Sequence, residues 1–401
     1  MHTVTLNSAA HSVARSAPRF ASIDIVRGLV MVLMALDHVR VFSAVPAWSA
    51  DPAVFFTRWI TNFCAPAFVF LAGTGAFLHA DRLGDRGAMT RYLLVRGALL
   101  VFFEMTISRL SWTFNLDFYN YTEANVLWVI GWSMIALAGL QRLPIGVVAA
   151  FGIVIIAGHN IVDYFGEPTW LPDSPLEGWW RVLYFGGEFR FFGTGPKLVV
   201  LYLIIPWVGV MAAGYAFGAI MRLDSAERRQ RCLQLGGGAI VLFLVLRATN
   251  LYGNPWPFNV TDENGAVLSF LATNKYPASL QFLLMTLGPV ILVLPWLEHR
   301  EGALWRVLGT FGRVPLFYYL LHLPVIHTLA VLISLVRSPD ATGWLFLNHP
   351  LRIPPAPDGY MWSLPLLYGV TMLAVVILYF PCRWYDGFKR RQRGHWFTRY
   401  I

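Results

Sequence analysis

Residues 22–40 read SIDIVRGLVMVLMALDHVR, an apolar run that carries Asp24, Arg27, Asp37, His38 and Arg40. A charge near the centre of a bilayer costs about 3 kcal/mol or more, so ionisable groups inside such a segment point to a site. On a helix, Arg27 and His38 are separated by about three full turns plus 20°, which puts them on one face about 16 Å apart along the axis. Asp24 lies about 60° from Arg27, one turn earlier, and can neutralise it. Asp37 is turned about 100° off that face and can pair with Arg40 at i,i+3. A cation low on a helix and a titratable imidazole high on the same face suit a molecule held by a phosphate or carboxylate and reacting further along. The plain alternatives are a helix end whose charges snorkel, which accounts well for Arg40, and a neutral, hydrogen-bonded core histidine at position 38.

Other polar residues in apolar surroundings extend the set. His322 and Tyr318 stand at i,i+4 in RVPLFYYLLH and share a face, with Tyr318 or Tyr319 as partner for the imidazole in either a functional or a structural hydrogen bond. His327 is about 140° off that face and reads as structural. Glu104 in LLVFFEMTISR and Asn62 are buried polar candidates; Glu104 could orient a histidine or pair with Arg96 or Arg109. Arg247 and Asn250 in LRATN read as a snorkelling helix end. Gly73, Gly75, Gly214 and Gly218 read as close helix packing. Cys64, Cys232 and Cys382 are isolated, without a CxxC pair, and no His/Asp set has metal-ligand spacing. The chemistry predicted is therefore acid–base or nucleophilic, by His38 and His322, without a metal.

The elements that must position these groups are membrane helices. Of 401 residues, 57% are hydrophobic and 13% charged, where a soluble domain has about 25% charged residues. Mean hydropathy is +0.55. Ten apolar segments are long enough to span, near 23–44, 54–80, 90–110, 123–141, 143–163, 197–222, 231–251, 276–297, 314–337 and 361–385. The fold expected is all-α, one polytopic bundle of about ten transmembrane helices over 21–387, between a polar tail at 1–20 and a basic tail at 388–401. No internal repeat is visible. The opening MHTVTLNSAAHSVARSAPRF lacks an apolar core and is not a cleavable signal peptide. The net charge of +9 gathers at one set of helix ends, which places both termini in the cytoplasm, in a plasma membrane. No continuous basic face offers itself to nucleic acid. The long loops 164–196 and 338–360 fall outside, and GEPTWLPDSPLEGWW could form a short interfacial helix or serve as an aromatic belt.

Arg, ten residues, then His in RGLVMVLMALDH resembles the first-helix motif of the membrane acyltransferase superfamily that modifies cell-envelope glycans. NFCAPAFVFLAGTGAFLHA at 62–80, PWVGVMAAGYAFG at 206–218, NKYPASLQFLLMTLGP at 274–289 and FGRVPLFYYLLHLPVIH at 311–327 resemble one branch more closely. That branch is the bacterial relatives of the heparan-alpha-glucosaminide N-acetyltransferase catalytic domain, and the resemblance runs over roughly 19–390. It implies transfer of an acetyl group from cytoplasmic acetyl-CoA to a carbohydrate acceptor on the far side, with His38 as base or acyl relay. Arg27, His38 and His322 match the family pattern, and the motif match points Lys275 and Tyr276 toward the acceptor; the residues themselves add Asp24 and Arg313 beside Arg27 toward the donor, Glu104 and Asn62 as partners of His38, and Tyr318 beside His322. Arg313 is explained equally by the charge rule for inner loops. One departure concerns the acceptor. The animal enzyme's catalytic histidine lies in the loop after the first helix, and the corresponding VFSAVPAWSADPA has none. Glucosamine therefore does not carry over, and a hydroxyl acceptor stands beside an amine. A homodimer is compatible with this class. Two rivals use the same residues differently: a proton- or anion-coupled transporter with the charges as a relay, and a non-catalytic membrane partner with a degenerate site.

Overall fold

The computed structural model describes residues 20–168, 170, 174–263, 265–348, 355–392 and 400. Of the two expected tails, 1–19, 393–399 and 401 lie outside the described residues. Along the chain come α1 (Ala21–Phe42), α2 (Pro52–Trp59), α3 (Cys64–Leu83), α4 (Arg86–Phe103), a π-helical turn Glu104–Ser108, α5 (Arg109–Thr113), β1 (Thr122–Ala124), α6 (Val126–Leu140), α7 (Ile145–Gly158) and α8 (Glu177–Trp180). There follow β2 (Gly187–Arg190), β3 (Lys197–Val200), α9 (Ile204–Ile220), α10 (Ser225–Thr249), α11 (Ala266–Leu271), α12 (Leu280–Leu297), α13 (Ala303–Arg313), α14 (Pro315–Arg337) and α15 (Leu364–Arg391).

Among the described residues, six helical stretches are long and apolar enough to cross a bilayer: Pro52–Leu83, Ile145–Tyr164, Ser225–Thr249, Leu280–Leu297, Pro315–Arg337 and Leu364–Arg391. The chain is an integral membrane protein built of helices. Each of the ten expected segments contains a helix, but length and apolarity carry only these six as crossings. The reasons differ among the others. α6 and α9 are apolar but shorter, while α1 and α4 carry several charges each.

The sequence reading is corrected in four places. The 197–222 segment begins as the β-branched strand β3, which pairs parallel with β1 and antiparallel with β2 in a small sheet ordered β1-β3-β2. The 276–297 segment turns helical only at Leu280, after a tight turn in which Lys275 bridges Ala278. Helix α13 was not anticipated; its charges and apolar residues alternate around an amphipathic helix too short to span. The basic end at 388–391 continues α15 because nothing in FKRR breaks a helix.

Packing follows small residues, as expected where lipid removes the hydrophobic drive between helices. α3 lies along α9, with Gly73 on the Met211 carbonyl and Gly214 on the Phe70 carbonyl, positions no Cβ could occupy. Helix α1 is central and touches α3, α12, α13, α14 and α15. Its approach to α13 requires Gly28 against the Leu308 carbonyl and Gly312 against the Asp24 carbonyl.

Candidate functional site

Helices α1 and α14 bring His38 and His322 together, with His38 Nδ1 2.6 Å from His322 Nε2. The second nitrogen of His322, Nδ1, faces the carbonyl oxygen of Tyr319 one turn earlier. A carbonyl only accepts, so the network assigns the proton to His322 Nδ1. The neutral ring then accepts at Nε2, and His38 donates from Nδ1. This leaves His38 Nε2 with its lone pair. The pair is held by aromatic walls: Trp112 meets His38 edge-on at 4.8 Å, and Tyr318 stacks on His322 at 5.7 Å. His322 is fully buried, whereas His38 lines a cavity of about 430 Å³.

Arg40, Arg58 and Asp37 line that cavity together. Arg40 donates from Nε to Asp37 at 3.1 Å, and Arg58 approaches the same carboxylate at 3.7 Å. The expected Asp37–Arg40 pair is present, shared with an arginine the sequence did not single out. Tyr276 lines this cavity and a neighbouring one of about 420 Å³, which Lys275 and Asn62 also line. Lys275 is 9% exposed, with Nζ 5.3 Å from the Tyr276 ring centre and 5.8 Å from that of Tyr202.

A second cavity, of about 220 Å³, opens along α1 on the Arg27 side between α3, α4, α6 and α14. Arg27 donates from Nη2 to the Leu71 carbonyl, and Gly75 leaves the room its guanidinium needs. Tyr92 and Arg96, one turn apart on α4, line the same cavity. They engage Tyr400 through ring stacking and a 2.6 Å hydrogen bond from Arg96 to its carbonyl. Both cavities reach Val126 and Tyr319.

Several sequence-derived candidates stand elsewhere. Glu104 neither orients a histidine nor pairs with Arg96 or Arg109. Its Oε2 accepts from the Leu127 amide at 2.7 Å and so caps α6, whose own N-cap Asn125 gives no side-chain bond. Asn62 accepts from Arg58 at 2.7 Å and touches neither histidine. Arg313 pairs with Asp386 of α15 at 2.8 Å and lines cavities apart from that of Arg27. Asp24 lines one of these beside Arg306 and Arg313. The Tyr318 hydroxyl has no hydrogen-bond partner among the described residues, and it is the Tyr319 backbone that holds His322. Gly75 faces Arg27 rather than a helix. Arg247 does not snorkel; it is buried and donates to the carbonyls of Trp256, Ser269, Phe270 and Ala272. Among the described residues no group of three potential ligands could hold a metal ion.

Sequence reasoning missed Arg58, Tyr92, Arg96, Val126 and Tyr319 as lining residues. The i,i+4 spacing of Tyr92 and Arg96 was a usable signal. Tyr319 had been named only as a partner for His322, and for Val126 there was no signal, since it reads as an ordinary membrane-helix residue.

Comparison with known proteins matches residues 19–249 to the family described as heparan-alpha-glucosaminide N-acetyltransferase, catalytic. The match includes Asp24, Arg27, His38, Asn62 and Glu104, and stops short of Lys275, Tyr276, Arg313, Tyr318 and His322. No curated protein matches the chain significantly. The match covers more than half of the chain and places it in the heparan-alpha-glucosaminide N-acetyltransferase catalytic family, a family of membrane acetyltransferases.

Proposed function

We propose that the protein moves an acetyl group from acetyl-CoA, bound in the Arg27 cavity, to a hydroxyl or amine of a sugar or glycan in the His38 cavity. The carrying observation is the His38–His322 hydrogen bond, which leaves a lone pair on the Nε2 of His38, a residue lining the cavity of about 430 Å³. His38 takes the proton as the acceptor oxygen or nitrogen attacks the thioester carbonyl carbon. The C–S bond breaks, and the proton passes from the imidazolium to the thiolate. The products are the acetylated acceptor and CoA with a free thiol. During the step His38 is cationic, and its Nδ1–H bond to neutral His322 becomes charge-assisted.

Arg27 and Arg96 offer fixed positive charge to the CoA phosphates, and Gly75 keeps the approach open. Lys275, Tyr276 and Arg58 line the acceptor side. With the α1 start in the cytoplasm, as the loop charges favour, the donor enters from the cytoplasm and the acceptor from the opposite side.

The test uses the full chain in lipid nanodiscs with acetyl-labelled acetyl-CoA and a panel of sugars and glycans. Acceptor-dependent release of CoA that vanishes in a folded His38→Ala variant supports the reading. Absence of acetyl-CoA binding, together with proton or anion flux in liposomes lacking acetyl-CoA, would point to a transporter instead.

A further inference from the structure

Val126 and Tyr319 line both cavities. They come from different helices, Val126 from the first residue of α6 and Tyr319 from α14. Each is tied to a group of the site. Glu104 fixes the first turn of α6 through the Leu127 amide, at 2.7 Å, the residue next to Val126. The Tyr319 ring stands edge-on against the His322 ring, centroids 5.2 Å apart, and its carbonyl holds the same histidine. The base His38 lies in one cavity and the arginines suited to the donor head lie in the other, so the reacting carbonyl must come to this junction.

We propose that Val126 and Tyr319 form a neck that admits the acyl end of the donor and selects its chain length, with Glu104 as the positioning residue of the Val126 side. This rests on the Arg27 cavity being the donor site. Physically, the neck acts as a short apolar gauge. A two-carbon acyl group leaves its carbonyl level with His38 Nε2. A longer chain must find room beside Val126 and the Tyr319 ring, and both are held in place. A gauge between immobile walls discriminates by methylene count, worth about 10–200-fold per carbon at best.

The experiment measures CoA release by the full-length protein in nanodiscs with acetyl-, propionyl- and butyryl-CoA, and donor affinity by displacement. Val126→Ala and Tyr319→Ala remove bulk from opposite sides of the junction. Each is expected to raise the butyryl-to-acetyl ratio of kcat/KM about tenfold or more. Val126→Phe is expected to cut acetyl transfer while CoA itself binds with wild-type affinity. Glu104→Gln keeps an acceptor oxygen for the Leu127 amide and holds the wild-type ratio, whereas Glu104→Ala relaxes it. An unchanged ratio in both alanine variants, with wild-type turnover intact, overturns the neck alone. So does wild-type acetyl transfer by Val126→Phe. A wild-type protein that releases no CoA from any of the three donors overturns the donor-site reading and the neck with it.

Discussion

The Nδ1 of His38 lies 2.6 Å from the Nε2 of His322, a side chain 284 residues further along the chain. Because the Tyr319 carbonyl dictates where His322 carries its proton, one backbone oxygen on α14 decides which nitrogen of His38 is basic. Under the proposed function, His322 is a positioning residue and His38 the group that meets the substrate.

Replacing His38 with alanine removes the base, and CoA release should fall about 10²–10⁴-fold. Replacing His322 with alanine leaves the His38 ring free to turn and to change tautomer. kcat should then drop about 10–100-fold, as for other partners that orient a reactive imidazole, with KM for acetyl-CoA unchanged. Steady-state kinetics on both variants check this, and a His322→Ala enzyme with wild-type kcat would sink the relay.

The reaction needs the imidazole pair neutral. Protonating it occupies His38 Nε2, the lone pair the reaction uses. The rate should therefore rise with pH and level off once the pair has lost its extra proton. A pH–kcat profile tests the sign. Activity that increases toward acid would assign the histidines another task.

Arg27 and Arg313 make opposite predictions. Arg27→Ala should weaken acetyl-CoA binding about 10–100-fold, the loss of a hydrogen bond to a charged group. Arg313→Ala breaks the pair with Asp386 and should leave donor affinity at the wild-type level. Isothermal titration with CoA separates them, and equal losses would move the donor site toward α13.

Glu104→Ala removes the cap of α6 and should lower stability by about 1–2 kcal/mol, the usual worth of a lost helix cap. Glu104→Gln should lower it less. Thermal unfolding in detergent measures both, and indistinguishable melting temperatures would mean that Glu104 acts as something other than a cap.

Lys275→Ala should raise KM for the acceptor while KM for acetyl-CoA stays constant, because Lys275 lines the cavity beyond Tyr276 and not that of Arg27. The same kinetic series decides it once an acceptor is in hand.

Much of this was written locally. The apolar runs specified helices in the bilayer because twenty apolar residues have few other ways to satisfy their backbone there. The eleven-residue step from Arg27 to His38 placed a cation and an imidazole on one helix, since helical periodicity is a property of the local chain. Gly73 and Gly214 were legible as sites of close helix packing, though not which helices would meet there. What no local rule contained was partnership. Glu104 was legible as a buried acid but not as the cap of a helix that begins 22 residues later. Asn62 and Arg313 were legible as polar groups in apolar surroundings, yet Arg58 and Asp386 claimed them. Tyr318 was favoured by its i,i+4 step from His322, and the backbone of Tyr319 took the hydrogen bond instead. The sequence alone determined a helical membrane protein with a cation and an imidazole on one face of α1. The tertiary structure alone decided which groups share hydrogen bonds and where the two cavities meet, because those distances are set by how helices far apart in the chain pack together.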